Sequence, residues 1–184
     1  MDASNYLVTA QLLDGSTIFI RAIRPDDRDR LRTHFRRLSP ESIRFRFHGF
    51  KRSLSESEAA SLTAVDFIEH VALVATFGRE AEEPIIGVGR YIVGTDRRNH
   101  RYAEVGFAVI DEHQGKGIGT LLLRHLAIIA RTQGIREFHA DVLTDNARMI
   151  EVFEDSGFVV AESVNHGVEH LVLAIEKREP RQTD

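Results

Sequence analysis

Residues 103–120 read AEVGFAVIDEHQGKGIGT, and they contain the clearest structural motif of the chain. An apolar run typical of a β-strand (103–110) passes through a glycine-rich turn (114–119) into a leucine-rich run, which predicts a helix from Ile118 to about Thr132. The first N–H groups of a helix are unpaired and carry partial positive charge, and glycines in the preceding turn let these groups approach an anion closely. The junction therefore predicts a phosphate-binding loop.

The glycine spacing distinguishes this loop from two common phosphate-binding loops. Gly115, Gly117 and Gly119 fit neither G-x-G-x-x-G nor G-x-x-x-x-G-K-[ST], and they follow the pattern Q-x-x-G-x-G from Gln114. This segment resembles the acyl-CoA pyrophosphate loop of the GNAT superfamily of N-acyltransferases. For the loop alone, a turn that only packs a strand closely against a helix is the alternative.

The resemblance covers nearly the whole chain. Downstream of the loop it includes a strand (137–143), Asn146 at the start of a short helix, and the pair Gly157-Phe158 at its end. A weaker set of matches near the N-terminus resembles the bacterial protein lysine acetyltransferase branch, and we expect a stand-alone domain of that branch. These weaker matches are residues 13–16, 20–27, 38–42 and 44–47.

The resemblance implies the GNAT fold, an α/β (α+β) architecture. Its central sheet is expected to be mixed but mostly antiparallel, with about six to seven strands flanked by about four helices, and to be splayed at the acyl-CoA site. Local patterns agree, since residues 14–16 join two strand-like runs into a hairpin and residues 55–58 form a capping box. We expect one domain over residues 1–176 and a polar tail over residues 177–184.

Composition limits the classes of function. The chain has 184 residues, a formal net charge of -4 and no cysteine. This charge gives no global basic field for nucleic acid, and the lack of cysteine excludes disulfides, thiolate metal sites and a cysteine nucleophile. The sequence has no apolar run of about 18 residues and no signal-peptide pattern. We therefore expect a cytoplasmic protein with no nucleic-acid or membrane partner, and we leave a homodimer open.

Arginines are concentrated in the N-terminal third of the chain. A solvated helix face is the favoured interpretation, and contact with the 3′-phosphate of CoA or with an acidic partner is the alternative. The seven residues are Arg28, Arg30, Arg32, Arg36, Arg37, Arg44 and Arg46.

The resemblance implies acetyl-CoA as cosubstrate and indicates the residues that bind it. The pantetheine arm would pair with the backbone of Phe107, Ala108 and Val109, and a bulge in this strand would free an N–H group for the thioester carbonyl. Asn146 either caps its helix or contacts the pantetheine. The residues that would hold the pyrophosphate are Gln114, Gly115, Lys116, Gly117, Ile118, Gly119 and Thr120.

Glu104 is the predicted general base. A lysine amine has an ordinary pKa of about 10.4, so transfer at neutral pH requires a group that removes its proton. A carboxylate beside the strand splay can do so, and we expect Glu104 to be partly buried; the alternative is an ordinary solvent-facing strand residue. His139 and Asp141 are reserve candidates that could equally form the polar face of their strand. Phe153 stands where GNAT enzymes commonly place a tyrosine that protonates the leaving thiolate, so we predict a slower reaction that uses water as the acid.

Three functions follow from these features. We expect an N-acetyltransferase that moves an acetyl group from acetyl-CoA to a primary amine by direct attack, with a protein lysine as the preferred acceptor. A small amine, such as a polyamine or an aminoglycoside, is the alternative acceptor, and a non-catalytic acyl-CoA sensor is the alternative function.

His166 and His170 lie in a predicted hairpin with no evident third ligand, so we predict no metal.

Overall fold

The computed structural model describes residues 2–79 and 82–175, and the tail expected over residues 177–184 lies outside them. The N-terminal half holds β1 (Leu7–Gln11), β2 (Thr17–Ala22), α1 (Arg28–Arg36), α2 (Pro40–Phe47), α3 (Glu56–Thr63), β3 (His70–Thr76) and β4 (Gly87–Thr95). The C-terminal half holds β5 (Arg101–Val109), α4 (Ile118–Thr132), β6 (Glu137–Leu143), α5 (Ala147–Glu154), β7 (Val159–Asn165) and β8 (Val168–Ala174).

The strands form one sheet in the order β1-β2-β3-β4-β5-β6-β8-β7. Every neighbouring pair is antiparallel except β5 and β6, which run parallel and pair only at Ala103–Phe138 and Glu104–His139. The expected mostly antiparallel, splayed sheet is thus confirmed. Across the described residues it has eight strands and five α-helices, slightly more than expected, because both strands of the N-terminal hairpin join its edge.

Local sequence signals set the ends of the N-terminal helices. The Ser39 side chain accepts a hydrogen bond from the Ser42 N–H at the start of α2, with Pro40 in the first turn. Ser55 and Glu58 form a reciprocal capping box at the start of α3. These contacts satisfy backbone groups that a helix cannot pair internally, and the capping box predicted at residues 55–58 is confirmed.

Helix α4 packs one apolar face against the sheet. Leu122, Leu123 and Leu126 are fully buried in the core that this helix shares with β3, β4 and β5. Burying each such side chain contributes roughly 1.5–3 kcal/mol, so this helix is the main anchor of the fold. On the opposite face of the sheet, Leu31 of α1 and Ala59 of α3 close a second apolar cluster over β3. Helix α4, which follows the glycine-rich turn, is therefore held against the sheet along its apolar face.

A buried ion pair joins β2 to the start of α1. Both guanidinium nitrogens of Arg21 donate to the Asp27 carboxylate at 2.7 Å, and the Arg24 N–H donates to the same group at 2.8 Å. Burial alone would raise the pKa of Asp27, but the hydrogen bonds and charge of Arg21 outweigh it and hold this pKa below its ordinary value. Asp27 is therefore ionised in the folded chain.

Candidate active site

The parting of β5 and β6 opens a cavity of about 1060 Å³. The two strands pair at Glu104 and His139 and then separate, so the later residues of β5 have no strand on that side. Helices α2 and α5 and the turn before α4 supply the other walls. The cavity brings together Glu104 and all the predicted donor-binding residues except Lys116.

The open edge of β5 has free backbone groups without a bulge. The register against β4 is continuous from Gly87–Val109 to Thr95–Arg101, so the predicted bulge is wrong. The Ile110 N–H donates to the carbonyl of Ile86, the residue before β4. Because hydrogen-bonded pairs alternate along an antiparallel ladder, the backbone N–H and C=O of Ala108 face β4. Those of Phe107 face the cavity. The departure of β6, and not a distortion of β5, therefore leaves a strand edge open.

The turn before α4 has the backbone of an anion site. Gly117 is the helix N-cap with a φ of 89°, a left-handed conformation that favours glycine. The N–H groups of residues 115–120 have no acceptor among the described residues. The Lys116 side chain points away from the cavity, and its Nζ lies 3.3 Å from the Asp14 carboxylate. The backbone carbonyl of Lys116 accepts a hydrogen bond from the Leu13 N–H. Lys116 therefore braces the loop against the N-terminal hairpin.

Gln114 joins three walls of the cavity. Its amide nitrogen donates to the Val109 carbonyl at 2.9 Å and to the Ser42 hydroxyl at 3.1 Å. Its amide oxygen accepts from Arg148 at 2.8 Å. The side chain thus fixes the end of β5 against α2 and α5, and it shapes the loop from behind.

Helix α2 crosses the splay and is held on both sides of it. Near the loop, the Ser39 and Ser42 hydroxyls donate to Asp111 at 2.7 and 2.9 Å. On the β6 side, Arg44 pairs with Asp145 at 2.5 Å, and His48 donates to the backbone carbonyl of Asp141 at 3.1 Å. The helix therefore forms a roof over the open edge of β5.

Helix α5 contributes a cap and an apolar ring to the cavity. The Asn146 side chain accepts from the Met149 N–H at 3.3 Å, so it does cap the helix, and it also lines the cavity. Phe153 is buried with its ring centroid 5.9 Å from that of Phe107, and Met149 and Ile150 pack against the same core. The packing predicted for Phe153 is confirmed, and this position offers no proton donor.

Glu104 lies where β5 and β6 part. Its side chain is exposed, so the expected partial burial is wrong, and among the described residues it has neither a hydrogen bond nor an ion pair. Its side chain lies on the same face of β5 as Gly106, the face over which Arg46 of α2 lies. A free carboxylate at the end of the open edge is available to accept a proton from a group that enters the cavity.

The reserve candidates on β6 are already engaged with other side chains. Asp141 and His170 share a hydrogen bond of 2.6 Å, and the ring of His139 stacks on Tyr102 with centroids 4.3 Å apart. His139 Nε2 also lies 3.7 Å from the Glu137 carboxylate. Glu104 therefore stands apart from them as the unpaired carboxylate at the point of the splay.

Two arginines, Arg46 and Arg90, reach the same side of the cavity as Glu104. Arg46 was expected on a solvated helix face, and Arg90 was not among the predicted site residues. Arg90 on β4 is only 6% exposed, and Arg46 projects from α2 onto Gly106. Burial and then the nearby charge of Arg46 lower the pKa of Arg90 to about 9, and burial also lowers the pKa of Arg46. The sequence carries no local signal for this placement, because it depends on Gly106 of β5 lying beneath Arg46 of α2 in the fold.

The other N-terminal arginines mostly pair at the surface. Arg28 pairs with Glu56, Arg32 with Asp29, and Arg37 with Glu112. These contacts match the predicted solvated face. Arg46 is the exception, because it turns into the cavity and not to solvent.

Comparison with known proteins establishes the family. The family model described as "Acetyltransferase (GNAT) family" matches residues 41–158, which span α2 to the end of α5 and contain the whole cavity apart from Leu13. The chain belongs to the GNAT family. It is an acetyl-CoA-dependent N-acetyltransferase, and acetyl-CoA is its acyl donor.

Several relatives of this GNAT domain are acetyltransferases. An acetyltransferase of Pseudomonas aeruginosa is 31% identical over 146 residues, covering 79% of this chain and 77% of that protein. Acetyltransferase Pat of Mycolicibacterium smegmatis is 31% identical over 152 residues, and the chain spans 44% of Pat's length. The crystal structure of the GNAT domain of S. lividans PAT is 36% identical with a TM-score of 0.82, covering 91% of this chain and 96% of that one.

The GNAT fold and the resemblance to the protein lysine acetyltransferase branch are both confirmed by these matches. Within residues 2–79 and 82–175, no group of three histidine or carboxylate side chains is placed to hold a metal ion. Over the same residues, none of the helices has the length and apolar content needed to cross a bilayer.

Proposed function

We propose that this GNAT enzyme acetylates the side-chain amine of lysine residues in proteins, with Glu104 as general base. The observation that carries the proposal is the free carboxylate of Glu104 at the point where β5 and β6 part. The similarity to the Pat and PAT acetyltransferases favours a protein lysine over a small amine as acceptor.

The donor site fits acetyl-CoA along its length. The unpaired N–H groups of residues 115–120, at the N-terminus of α4, match a pyrophosphate, and no acidic side chain occupies the loop itself. Phe107 offers an N–H and a carbonyl on the open edge, which match the amides of a pantetheine arm. Acetyl-CoA supplies the acetyl group as an activated thioester. Asn146 and Val109 would border the same arm.

The first proton must leave the lysine ammonium before its nitrogen bonds to the acetyl carbon, and the nitrogen loses its second proton to water when the carbon–sulfur bond breaks and the amide forms. Glu104 accepts the first proton, directly or through a water molecule, and returns it to solvent. An N–H group of the open β5 edge donates to the carbonyl oxygen as charge develops there. Phe153 has no proton to give, so the departing thiolate takes its proton from water; a thiol pKa of about 8.5 makes it a tolerable leaving group.

The acceptor class can be tested directly. We would incubate the enzyme and acetyl-CoA with a panel of lysine-containing proteins, polyamines and aminoglycosides, and measure released CoA together with the mass of each acceptor. We expect acetylated lysines in proteins, with transfer strongly reduced in Glu104→Gln. Glu162→Gln is the matched control, because Glu162 is also an exposed strand carboxylate but lies on β7.

The outcomes separate the alternatives. Transfer to small amines alone would contradict the protein-lysine acceptor. Binding of acetyl-CoA without transfer to any acceptor would contradict the enzyme reading and favour a sensor. Equal rates in Glu104→Gln and Glu162→Gln would remove Glu104 from the mechanism.

A further inference from the structure

The acceptor side of the cavity contains a pair of arginines without a carboxylate partner. Arg90 donates to the Leu62 carbonyl at 3.4 Å and contacts His70 Nε2 at 3.1 Å. Arg46 makes no hydrogen bond or ion pair with any described residue, and its guanidinium lies 5.4 Å from the ring centroid of Phe47. Both side chains line the cavity.

Register places this pair beside the proposed base. Arg90 and Gly106 are directly opposite each other on β4 and β5, and Glu104 lies two residues before Gly106 on the same face. A Cβ atom on Gly106 would be only 3.2 Å from the guanidinium carbon of Arg46. The guanidinium therefore covers Gly106, about 7 Å along the strand from Glu104.

Arg90 is buried and Arg46 is half-buried, and two neighbouring cations shielded from water are unfavourable unless an anion compensates them. Three of the acidic residues that line the cavity are paired elsewhere, since Asp111 binds Ser39, Asp141 binds His170 and Asp145 binds Arg44. Glu104 is not within ion-pair distance of either arginine. The pair thus presents guanidinium donors of a kind that bind carboxylates in a forked geometry.

We propose that Arg46 and Arg90 bind a carboxylate that belongs to the acceptor, so that the enzyme prefers a lysine with a carboxylate about 7 Å from its amine. This inference rests on the proposed function, because Glu104 fixes the place of the amine. Two carboxylates meet the requirement: the side chain of an acidic residue next to the lysine, and the α-carboxylate of a C-terminal lysine. Their shared chemistry is what the arginines recognise.

The phosphates of acetyl-CoA are the competing anion. They fit the loop at residues 115–119, which follows β5 after Val109, whereas Arg46 lies over Gly106 in the middle of the strand. A role for Arg46 in donor binding would appear as weaker binding of acetyl-CoA. A role in acceptor binding would leave that affinity unchanged.

Matched peptides test the inference. One pair places a lysine beside either glutamate or glutamine, and a second pair ends in lysine as either the free acid or the amide. For the wild-type enzyme we expect a KM at least about 10-fold lower for at least one carboxylate peptide than for its neutral partner. The pair that shows the difference identifies the source of the carboxylate.

Variants connect the preference to the arginines. Arg46→Gln should remove the difference between matched peptides, Arg46→Lys should retain part of it, and both should bind acetyl-CoA with wild-type affinity. Arg36→Gln is the control, because it removes one positive charge from the exposed end of α1 and lies outside the cavity. Thermal unfolding of each variant reports whether it is folded.

Each result decides a different question. Equal KM values for matched peptides in the wild type, or an Arg46→Gln variant that keeps the preference or weakens acetyl-CoA binding, would overturn the inference and leave the proposed function intact. No transfer to any lysine peptide or protein would overturn the proposed function itself.

Discussion

Replacing Gly117 by glutamate tests the phosphate loop most directly. A side chain at this position begins beside the unpaired N–H groups of the loop, and its Cβ would lie 3.4 Å from the exposed Leu13 side chain, an ordinary contact. The new carboxylate can therefore stand near the bound pyrophosphate without displacing the core. The substitution adds charge to the site and leaves its shape largely unchanged.

The size of the effect follows from Coulomb's law. A unit negative charge at about 5 Å from one phosphate charge, at an effective dielectric constant of about 20, is repelled by about 3 kcal/mol. This energy corresponds to affinity for acetyl-CoA that is weaker by about 100-fold or more. Added salt should restore part of the affinity, because it screens the repulsion.

Titration calorimetry with acetyl-CoA measures this loss, and two variants control for other effects. Gly117→Gln adds the same bulk without the charge. Gly134→Glu lies at the other end of α4, also with a left-handed φ, at 77° with open space around it, so it carries a similar strain of about 1–2 kcal/mol. If Gly117→Glu bound acetyl-CoA as tightly as Gly134→Glu does, the loop would not be the phosphate site.

Three further substitutions test the base and two buried groups. Glu104→Gln should lower kcat about 100-fold or more near pH 7 and leave the affinity for acetyl-CoA unchanged. The kcat of the variant should approach that of the wild type at high pH, where the amine deprotonates without a base. A ratio of variant to wild-type kcat that does not change with pH would contradict the assignment. Asp27→Ala should lower the free energy of unfolding by about 3–5 kcal/mol, because it leaves Arg21 buried without its partner; urea denaturation at pH 7 measures the loss. The pKa of Asp27 is lower in the folded chain than its value of about 3.9 in the unfolded chain. The stabilisation is therefore complete above about pH 3.9 and is lost as the pH falls through the pKa of the folded state. In strong acid the variant and the wild type should have the same free energy of unfolding. Burial lowers the pKa of His34 to about 4, so the unfolded chain binds more protons than the folded chain between pH 6.5 and 4, and the free energy of unfolding decreases as the pH is lowered through that range. His34→Gln can still donate to the Ile85 carbonyl and should make this pH dependence weaker, as measured by denaturation at several pH values. An unchanged pH dependence would show that other groups cause it.

The local structure was largely predictable from sequence because its signals are local. The helix Ile118–Thr132 and the strand Glu137–Leu143 have the predicted bounds, since apolar periodicity and a glycine at each end of the helix leave little choice. The turn at residues 14–16 and the capping box at Ser55 were readable for the same reason.

The errors and omissions concern pairing between distant segments. The bulge in β5 was expected from the family, but the open edge arises because β6 departs after Glu104, a long-range event with no local sequence signal. Arg46 belonged to a run of arginines typical of a solvated face, and only the fold shows that Gly106 leaves room for it. Glu104 was placed correctly at the splay, while its exposure depends on how α2 crosses the cavity.

The short contact between β5 and β6 also divides the molecule mechanically. Two residue pairs join these strands, whereas β4 and β5 share nine, so the sheet is two panels, β1 to β5 and β6 to β8, connected by a narrow seam. Cooperative opening units often follow such boundaries, and amide protons of the smaller panel should exchange with deuterium sooner than those of β3 and β4. A donor molecule seated along the seam would touch both panels and bind the closed state preferentially. The same few backbone groups along the seam would then both bind the donor and control how easily the two panels separate.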